Sequence, residues 1–141
     1  MMRTAAAAIT GIVAAISLTA ATPSAALDSD EPPAFVVDVL LGTGHIEVRD
    51  GVKQVGFDIS ILCRAQTDME ILMQVSQEST GAEGFDQRLF SCTEINTQFL
   101  QTYFLSDERW ASGTAHVQAT LLEQGTAFDE FQRDISLIDR S

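Results

Sequence analysis

Apolar residues in this chain recur at every second position over most of its length, and this spacing limits what the chain can fold into. A period of two places alternate side chains on one face of an extended strand, whereas a helix needs apolar residues three and four positions apart. Helical spacing is hard to find, and single turns at 93–99 or 106–110 are the most helix that we expect. The alternating runs are 35–41, 55–63, 69–75, 115–121 and 131–137, with Phe90 and Cys92 on a shorter strand.

Glycine-containing turn signals separate these runs. They include Gly42-Thr43-Gly44, Asp50-Gly51 and Gly125-Thr126, and such residues favour tight turns between strands. A further run at 98–106 is apolar on both faces, so it predicts a strand without assigning its faces. Seven or eight short strands separated by turns predict an all-β fold. We expect residues 34–141 to form one two-layer antiparallel immunoglobulin-like β-sandwich.

Residues 1–26 have the pattern of a secretory signal peptide. Arg3 is the only charge before Asp28, an alanine-rich apolar run follows it, and Ser24 and Ala26 are the small residues of a cleavage site. A retained membrane anchor is the weaker alternative, because alanine and threonine make the run only mildly apolar. We therefore expect a secreted chain, exported by the general secretory route and free of the membrane after cleavage. Residues 27–33 are predicted to be a disordered lead-in rich in acid and proline.

The two cysteines, Cys63 and Cys92, each end a predicted strand. If consecutive strands alternate in direction, both lie at one pole of the sandwich and project from the core faces of their strands. One disulfide is the usual state of two such residues in an exported protein, and two buried free thiols are the alternative. The antibody pattern is absent, because the only tryptophan, Trp110, follows Cys92 instead of lying between the cysteines.

The charge of the chain excludes several classes of partner. It has 8 Lys and Arg against 20 Asp and Glu, so its formal net charge is −12. Binding to nucleic acid needs clustered basic residues, and binding to anionic membranes needs them too. Two His and two Cys far apart in sequence do not match a zinc site. The same charge favours a monomer, because copies of the chain repel one another.

Four stretches, GFDISILC, MEILMQVSQ, FSC and SGTAHVQATL, resemble a group of small secreted actinobacterial β-sandwich proteins of unknown function. In that group a strand ends in Cys, the next strand ends in Gln, a second Cys follows, and a later strand opens with Gly-x-Ala. The matching residues here are Cys63, Gln77, Cys92, Gly113 and Ala115. The resemblance covers about residues 54–138 and implies a fold and an extracellular location, but no activity. The alanine-rich leader and the scarcity of Lys and Asn fit a GC-rich bacterial genome. This chain departs from the group in its acidity and in having Phe99 or Tyr103 where tryptophan is expected.

No catalytic residue is predicted. Nucleophilic catalysis needs Ser or Cys beside a base that a third group orients, and the available bases are His45, predicted in a turn, and His116, predicted on the outer face of a strand. Paired carboxylates for glycosidase chemistry arise by chance among 20 acids, and a sandwich of this size lacks a deep cleft. We therefore expect that the protein is not an enzyme.

One pole of the sandwich is the candidate binding surface. Alternating strand directions bring the turns 50–53, 79–86 and 107–112 together at the pole opposite the disulfide. Loop carboxylates are ligands for Ca²⁺, the only cofactor that we consider, and an exposed tryptophan is a typical anchor for a partner. The alternative is that the turns are acidic only because the chain is, with Trp110 covering the core. The residues are Asp50, Glu83, Asp86, Asp107, Glu108, Arg109 and Trp110.

Two functional hypotheses follow. The first is a secreted, non-catalytic binding module for an unknown extracellular protein. The second is a secreted small-molecule carrier or enzyme inhibitor on the same scaffold. A pocket formed by Leu100, Tyr103 and Phe104 would favour the carrier, whereas an acidic pole with an exposed Trp110 would favour the module.

Overall fold

The computed structural model describes residues 32–141, so the predicted signal peptide at 1–26 and most of the predicted lead-in at 27–33 lie outside the described residues. Among the described residues, no helix has the length and apolar character needed to cross a membrane. The expected helical turns at 93–99 and 106–110 do not form, because Thr97 already begins a strand and residues 107–109 form a tight turn. The eight strands are β1 Ala34–Val39, β2 Thr43–Arg49, β3 Val52–Cys63, β4 Thr67–Gln77, β5 Ala82–Cys92, β6 Thr97–Ser106, β7 Gly113–Glu123 and β8 Thr126–Asp139.

The strands form the predicted two-layer β-sandwich. In one layer, β6 pairs with one edge of β3, and β1 and β2 pair with different parts of its other edge. The strand order of the other layer is β8-β7-β4-β5. β2 belongs to both layers, because His45 lies opposite Gly56 of β3 and also opposite Ile138 of β8. The pairing of β2 with β8 is parallel, and every other pairing is antiparallel. The sequence analysis missed β2, because Gly42-Thr43-Gly44 has the composition of a turn.

A kink at Leu40–Gly42 lets the first part of the chain move from β1 to β2. Arg133 of β8 holds this kink, since its guanidinium donates to the carboxylate of Asp38 and to the carbonyl of Val39. A Cβ atom on Gly42 would lie 2.3 Å from Nη2 of Arg133, and the φ of Gly42 is +61°. Glycine adopts this backbone conformation without strain, and any larger residue would require the guanidinium to move. The kink thus joins the two layers on one side of the sandwich.

The core is made by the alternating side chains of the strands. The predicted inward faces of β3, β4 and β7 are buried, as are Ile135 and Leu137 of β8. β1 departs from strict alternation, because its register shifts between Val36 and Asp38. In β6, whose faces the sequence left open, Tyr103 and Leu105 point into the core.

The disulfide joins Cys63 at the end of β3 to Cys92 at the end of β5, and the prediction is confirmed. Both residues are buried, and their Cα atoms are 5.7 Å apart, within the usual range for a disulfide. Because β3 and β5 belong to different layers, the bond ties the layers together at the pole opposite the acidic turns.

Candidate functional site

Hydrogen bonds donated by backbone amides join the three predicted turns at the acidic pole. The amide of Glu83 donates to Oδ2 of Asp107 at 3.0 Å, and the amide of Asp107 donates to the carbonyl of Lys53 at 3.1 Å. Oε2 of Glu108 accepts from the amide of Lys53 at 3.2 Å. These contacts join the start of β5, the end of β6 and the start of β3, as alternating strand directions predict.

Two of the candidate acids do not belong to this cluster. Asp86 lies within β5, because that strand begins at Ala82, and its carboxylate accepts a hydrogen bond from Nε of Arg88 at 2.9 Å. Asp50 is exposed in the turn between β2 and β3, at a φ of +53°. Within residues 32–141, no hydrogen bond or ion pair joins either residue to Glu83, Asp107 or Glu108. The hydrogen bonds at the pole therefore link Glu83, Asp107 and Glu108 through Lys53, and Asp50 and Asp86 are not part of this network.

Trp110 lies in the core, so the idea of an exposed tryptophan anchor is wrong. Its side chain is 1% exposed, and Nε1 donates to the carbonyl of Leu105 at 2.9 Å. Its own carbonyl accepts from Nζ of Lys53 at 3.2 Å. Trp110 therefore covers the end of the core between β6 and β7, as the alternative reading of this residue predicted.

The ion pair between Arg109 and Asp107 at the pole is made within the chain. Nε and Nη2 of Arg109 donate to the two carboxylate oxygens of Asp107 at 3.0 and 2.7 Å. These bonds, together with the amide of Glu83, hold the pKa of Asp107 well below its usual range, and they raise the pKa of Arg109. Among residues 32–141, no three His, Cys, Asp or Glu side chains form a group that could hold a metal ion. A Ca²⁺ site at this pole stays a prediction.

A groove of about 770 Å³ lies beside the pole, between the turn that joins β4 to β5 and the first residues of β7. Gln77 connects the two walls and is 1% exposed. Its Oε1 accepts from Oγ1 of Thr80 at 2.9 Å and from the amide of Ala111 at 3.0 Å, and its Nε2 donates to the carbonyl of Ala111 at 2.7 Å. A cavity of this size is in the range of small-molecule sites. Its lining residues with ionisable side chains are Glu78, Glu83, His116 and Asp134.

His116 and Asp134 form a hydrogen-bonded pair on one wall of the groove. Nδ1 of His116 lies 2.8 Å from Oδ1 of Asp134, and Nε2 lies 3.1 Å from Oε1 of Gln132. The hydrogen bond with Asp134 raises the pKa of His116, because it stabilises the protonated ring. His116 is on the outer face of β7, as its alternation predicts. His45, by contrast, is in β2 and not in a turn, and its Nδ1 is buried without a hydrogen-bond partner among the described residues.

The pocket that would favour a carrier does not form, because its three residues are divided between the two faces of β6. Tyr103 is buried, and its ring stacks on Phe57 with centroids 5.8 Å apart, whereas Leu100 and Phe104 are exposed on the outer face. The sequence analysis in turn missed the groove as a site. Only Glu83 among its ionisable residues was predicted to bind, and Gln77 was noticed only through the resemblance.

Comparison with known proteins identifies the fold and nothing finer. No protein-family model and no curated protein matches the sequence. A member of glycosyl hydrolase family 2 from Bacteroides cellulosilyticus has a TM-score of 0.56 at 8% identity over 75% of this chain and 16% of its own. A β-D-mannosidase from Dictyoglomus thermophilum has a TM-score of 0.51 at 12% identity over 76% of this chain and 14% of its own. A putative β-galactosidase from Bacteroides fragilis has a TM-score of 0.50 at 12% identity over 74% of this chain and 17% of its own.

These structural neighbours are much longer than this chain, which spans between 14% and 17% of their lengths. The likeness is therefore to one β-sandwich domain within each enzyme. At identities of 8–12%, it shows the architecture of that domain and nothing about activity.

Proposed function

We propose that this protein is an exported, non-catalytic binding module whose groove beside the acidic pole takes a cationic group. Two observations support export: the Cys63–Cys92 disulfide, which is the usual state in oxidising compartments, and the signal-peptide pattern at 1–26. The observation that supports binding is the groove itself, with Gln77 holding its two walls together. Because these bonds fix the two walls before a ligand enters, binding should cost little conformational entropy.

The charge of the groove determines the class of ligand. Glu78, Glu83 and Asp134 line it, and none of the described residues that line it is Lys or Arg. Arg109 approaches the rim near Gly81, but its guanidinium is engaged by Asp107. An amine or guanidinium entering the groove would meet the carboxylates of Glu78 and Asp134, whereas Glu83 also interacts with the charge of Arg109. His116 adds positive charge only when it is protonated.

We do not extend the activity named for the glycosyl hydrolases and glycosidases to this chain. The likeness covers one domain of those enzymes, and a shared sandwich does not imply a shared reaction. The small-molecule carrier remains a second candidate, because the volume of the groove suits a small cationic molecule as well as a basic side chain of a protein partner.

A titration of the full mature chain tests the proposal. Spermidine and a short Arg-containing peptide are added separately, and the amide resonances of Glu78, Glu83 and His116 are followed by NMR. We expect saturable shifts at these residues and weaker binding at high salt. Tighter binding of spermidine would favour the carrier, and tighter binding of the peptide would favour the interaction module.

Matched variants locate the binding. Glu78→Gln removes one groove carboxylate with little change of shape, and we expect affinity to fall about two- to fivefold, the usual scale for one exposed charge pair. Glu94→Gln removes an exposed carboxylate near the disulfide and should leave affinity unchanged. Equal losses in both variants would mean that the ligand senses only the net charge of the protein, and the groove would then not be a site.

A further inference from the structure

β5 is an edge strand whose outer edge is only partly protected. Within residues 32–141 it pairs with β4 alone. The amides of Glu83 and Gln87 point away from β4, because they donate instead to the carboxylates of Asp107 and Asp86. Since backbone direction alternates along a strand, the amides of Phe85 and Leu89 point to the same free edge. An open edge of this kind is a template for a further strand.

Two apolar side chains flank this edge on its outer face. Phe85 is 63% exposed and Leu89 is 83% exposed. Natural sheets usually protect such an edge with charge or proline, and exposed apolar residues beside it are unusual unless something covers them.

The sequence along the edge is symmetrical in its chemistry. Residues 85–89 are Phe, Asp, Gln, Arg and Leu. The central glutamine is flanked by two opposite charges, and an apolar residue lies at each end. Antiparallel pairing of this segment with a second copy of itself, with Gln87 opposite Gln87, places Asp86 opposite Arg88 and Phe85 opposite Leu89. Every pair is then complementary in charge or in polarity, and cross-strand pairs of both kinds stabilise sheets.

We propose that β5 is a self-association surface, on which two copies of the protein pair through residues 85–89 of β5 about a twofold axis at Gln87. The hydrogen-bonding pattern of β5 fits this register. The amides of residues 85, 87 and 89 point to the free edge, where a partner strand would accept hydrogen bonds from them. Asp86 would exchange its bonds to the amide of Gln87 and to Nε of Arg88 in its own chain for Arg88 of the second copy. Arg88 sits over the ring of Tyr103, 4.1 Å from its centroid.

The net charge of the chain opposes this association and makes it weak. Two copies that are each strongly acidic repel one another, and pairing of a single short edge buries less surface than a stable dimer needs. The expected species is therefore a reversible dimer that forms at high protein concentration, in place of the monomer that the net charge alone predicts.

Sedimentation velocity on the mature chain, from about 1 µM to about 500 µM, measures the association because dimer population depends on protomer concentration. We expect the wild type to shift from monomer to dimer over this range. Asp86→Arg and Arg88→Asp each place like charges opposite one another twice, and each should weaken the dimer at least about tenfold. Glu130→Arg, an exposed charge reversal on β8, is the control and should not weaken the dimer.

The decisive measurement is a mixture of the two charge variants. The Asp86→Arg copy is basic at positions 86 and 88, and the Arg88→Asp copy is acidic at both positions. Every acid then faces a base across the paired strands, so a heterodimer with one copy of each variant should form. Gln87→Pro, which removes the central outward amide without changing charge, should be monomeric, and melting curves establish that each variant is folded. A wild type that stays monomeric at the highest concentration, a dimer that survives in the variants, or folded charge variants that fail to associate when mixed would each overturn the proposal. A dimer that survives would place self-association on another surface.

Discussion

Replacing Trp110 by alanine removes the side chain that covers one end of the core, and the structure predicts a large loss of stability. The indole is 1% exposed and its N–H group satisfies the carbonyl of Leu105. Deletion of a buried tryptophan costs about 3–5 kcal/mol in free energy of unfolding, and a carbonyl left without its donor adds to this loss. At roughly 4 °C per kcal/mol for a domain of this size, the melting temperature should fall by about 15 °C.

Two further variants separate the contributions to this loss. Trp110→Phe keeps most of the apolar area but removes the indole N–H, so we expect a smaller cost of about 1–2 kcal/mol. Phe128→Ala deletes an aromatic side chain that is exposed on β8 and should cost much less than Trp110→Ala. Chemical denaturation gives the free energies, because the slope and midpoint of the transition are fitted separately.

Fluorescence tests the burial directly, because Trp110 is the only tryptophan of the chain. The native protein should show a blue-shifted emission that acrylamide quenches poorly, and unfolding should restore the emission of tryptophan in water. Cation binding in the groove should persist in Trp110→Phe, because the indole does not line the groove. If Trp110→Ala left the melting temperature within the error of the wild type, or if native emission resembled that of free tryptophan, the side chain would be exposed and the argument for a core cap would be refuted.

Three further outcomes are expected. Reducing the Cys63–Cys92 bond should lower the free energy of unfolding by about 3–4 kcal/mol, because the bond closes a loop of about 30 residues, and equal melting curves with and without reductant would contradict this. Asp134→Asn should lower the pKa of His116 in an NMR titration. The stability from this pair is complete below the usual histidine pKa of 6.5 and is lost as the pH rises through the raised pKa, so an unchanged His116 titration would exclude the pair in solution. Millimolar Ca²⁺ should not raise the melting temperature, because both oxygens of Asp107 already accept hydrogen bonds from Arg109, and a clear rise would show a cation site.

Strand positions and the disulfide follow from the sequence for a local reason. The period of two comes from the covalent geometry of an extended chain, so the buried faces of β3, β4 and β7 can be predicted from residue order. Cys63 and Cys92 end β3 and β5 on the inward faces of those two strands, and alternation of strand direction then places them at one pole. The convergence of Lys53, Glu83 and Asp107 depends on the same alternation.

Only the tertiary structure decides the features that depend on residues distant in sequence. β2 is a strand because β3 and β8 pair with it on either side, although its own composition is that of a turn. Trp110 is buried because its ring packs into the core, where the carbonyl of Leu105 at the end of β6 satisfies its N–H group. The groove exists because Gln77 of β4 binds the segment before β7, 34 residues later. Alternation shows which way a side chain points from its own strand, whereas burial, pairing and cavities depend on what the rest of the chain places opposite it.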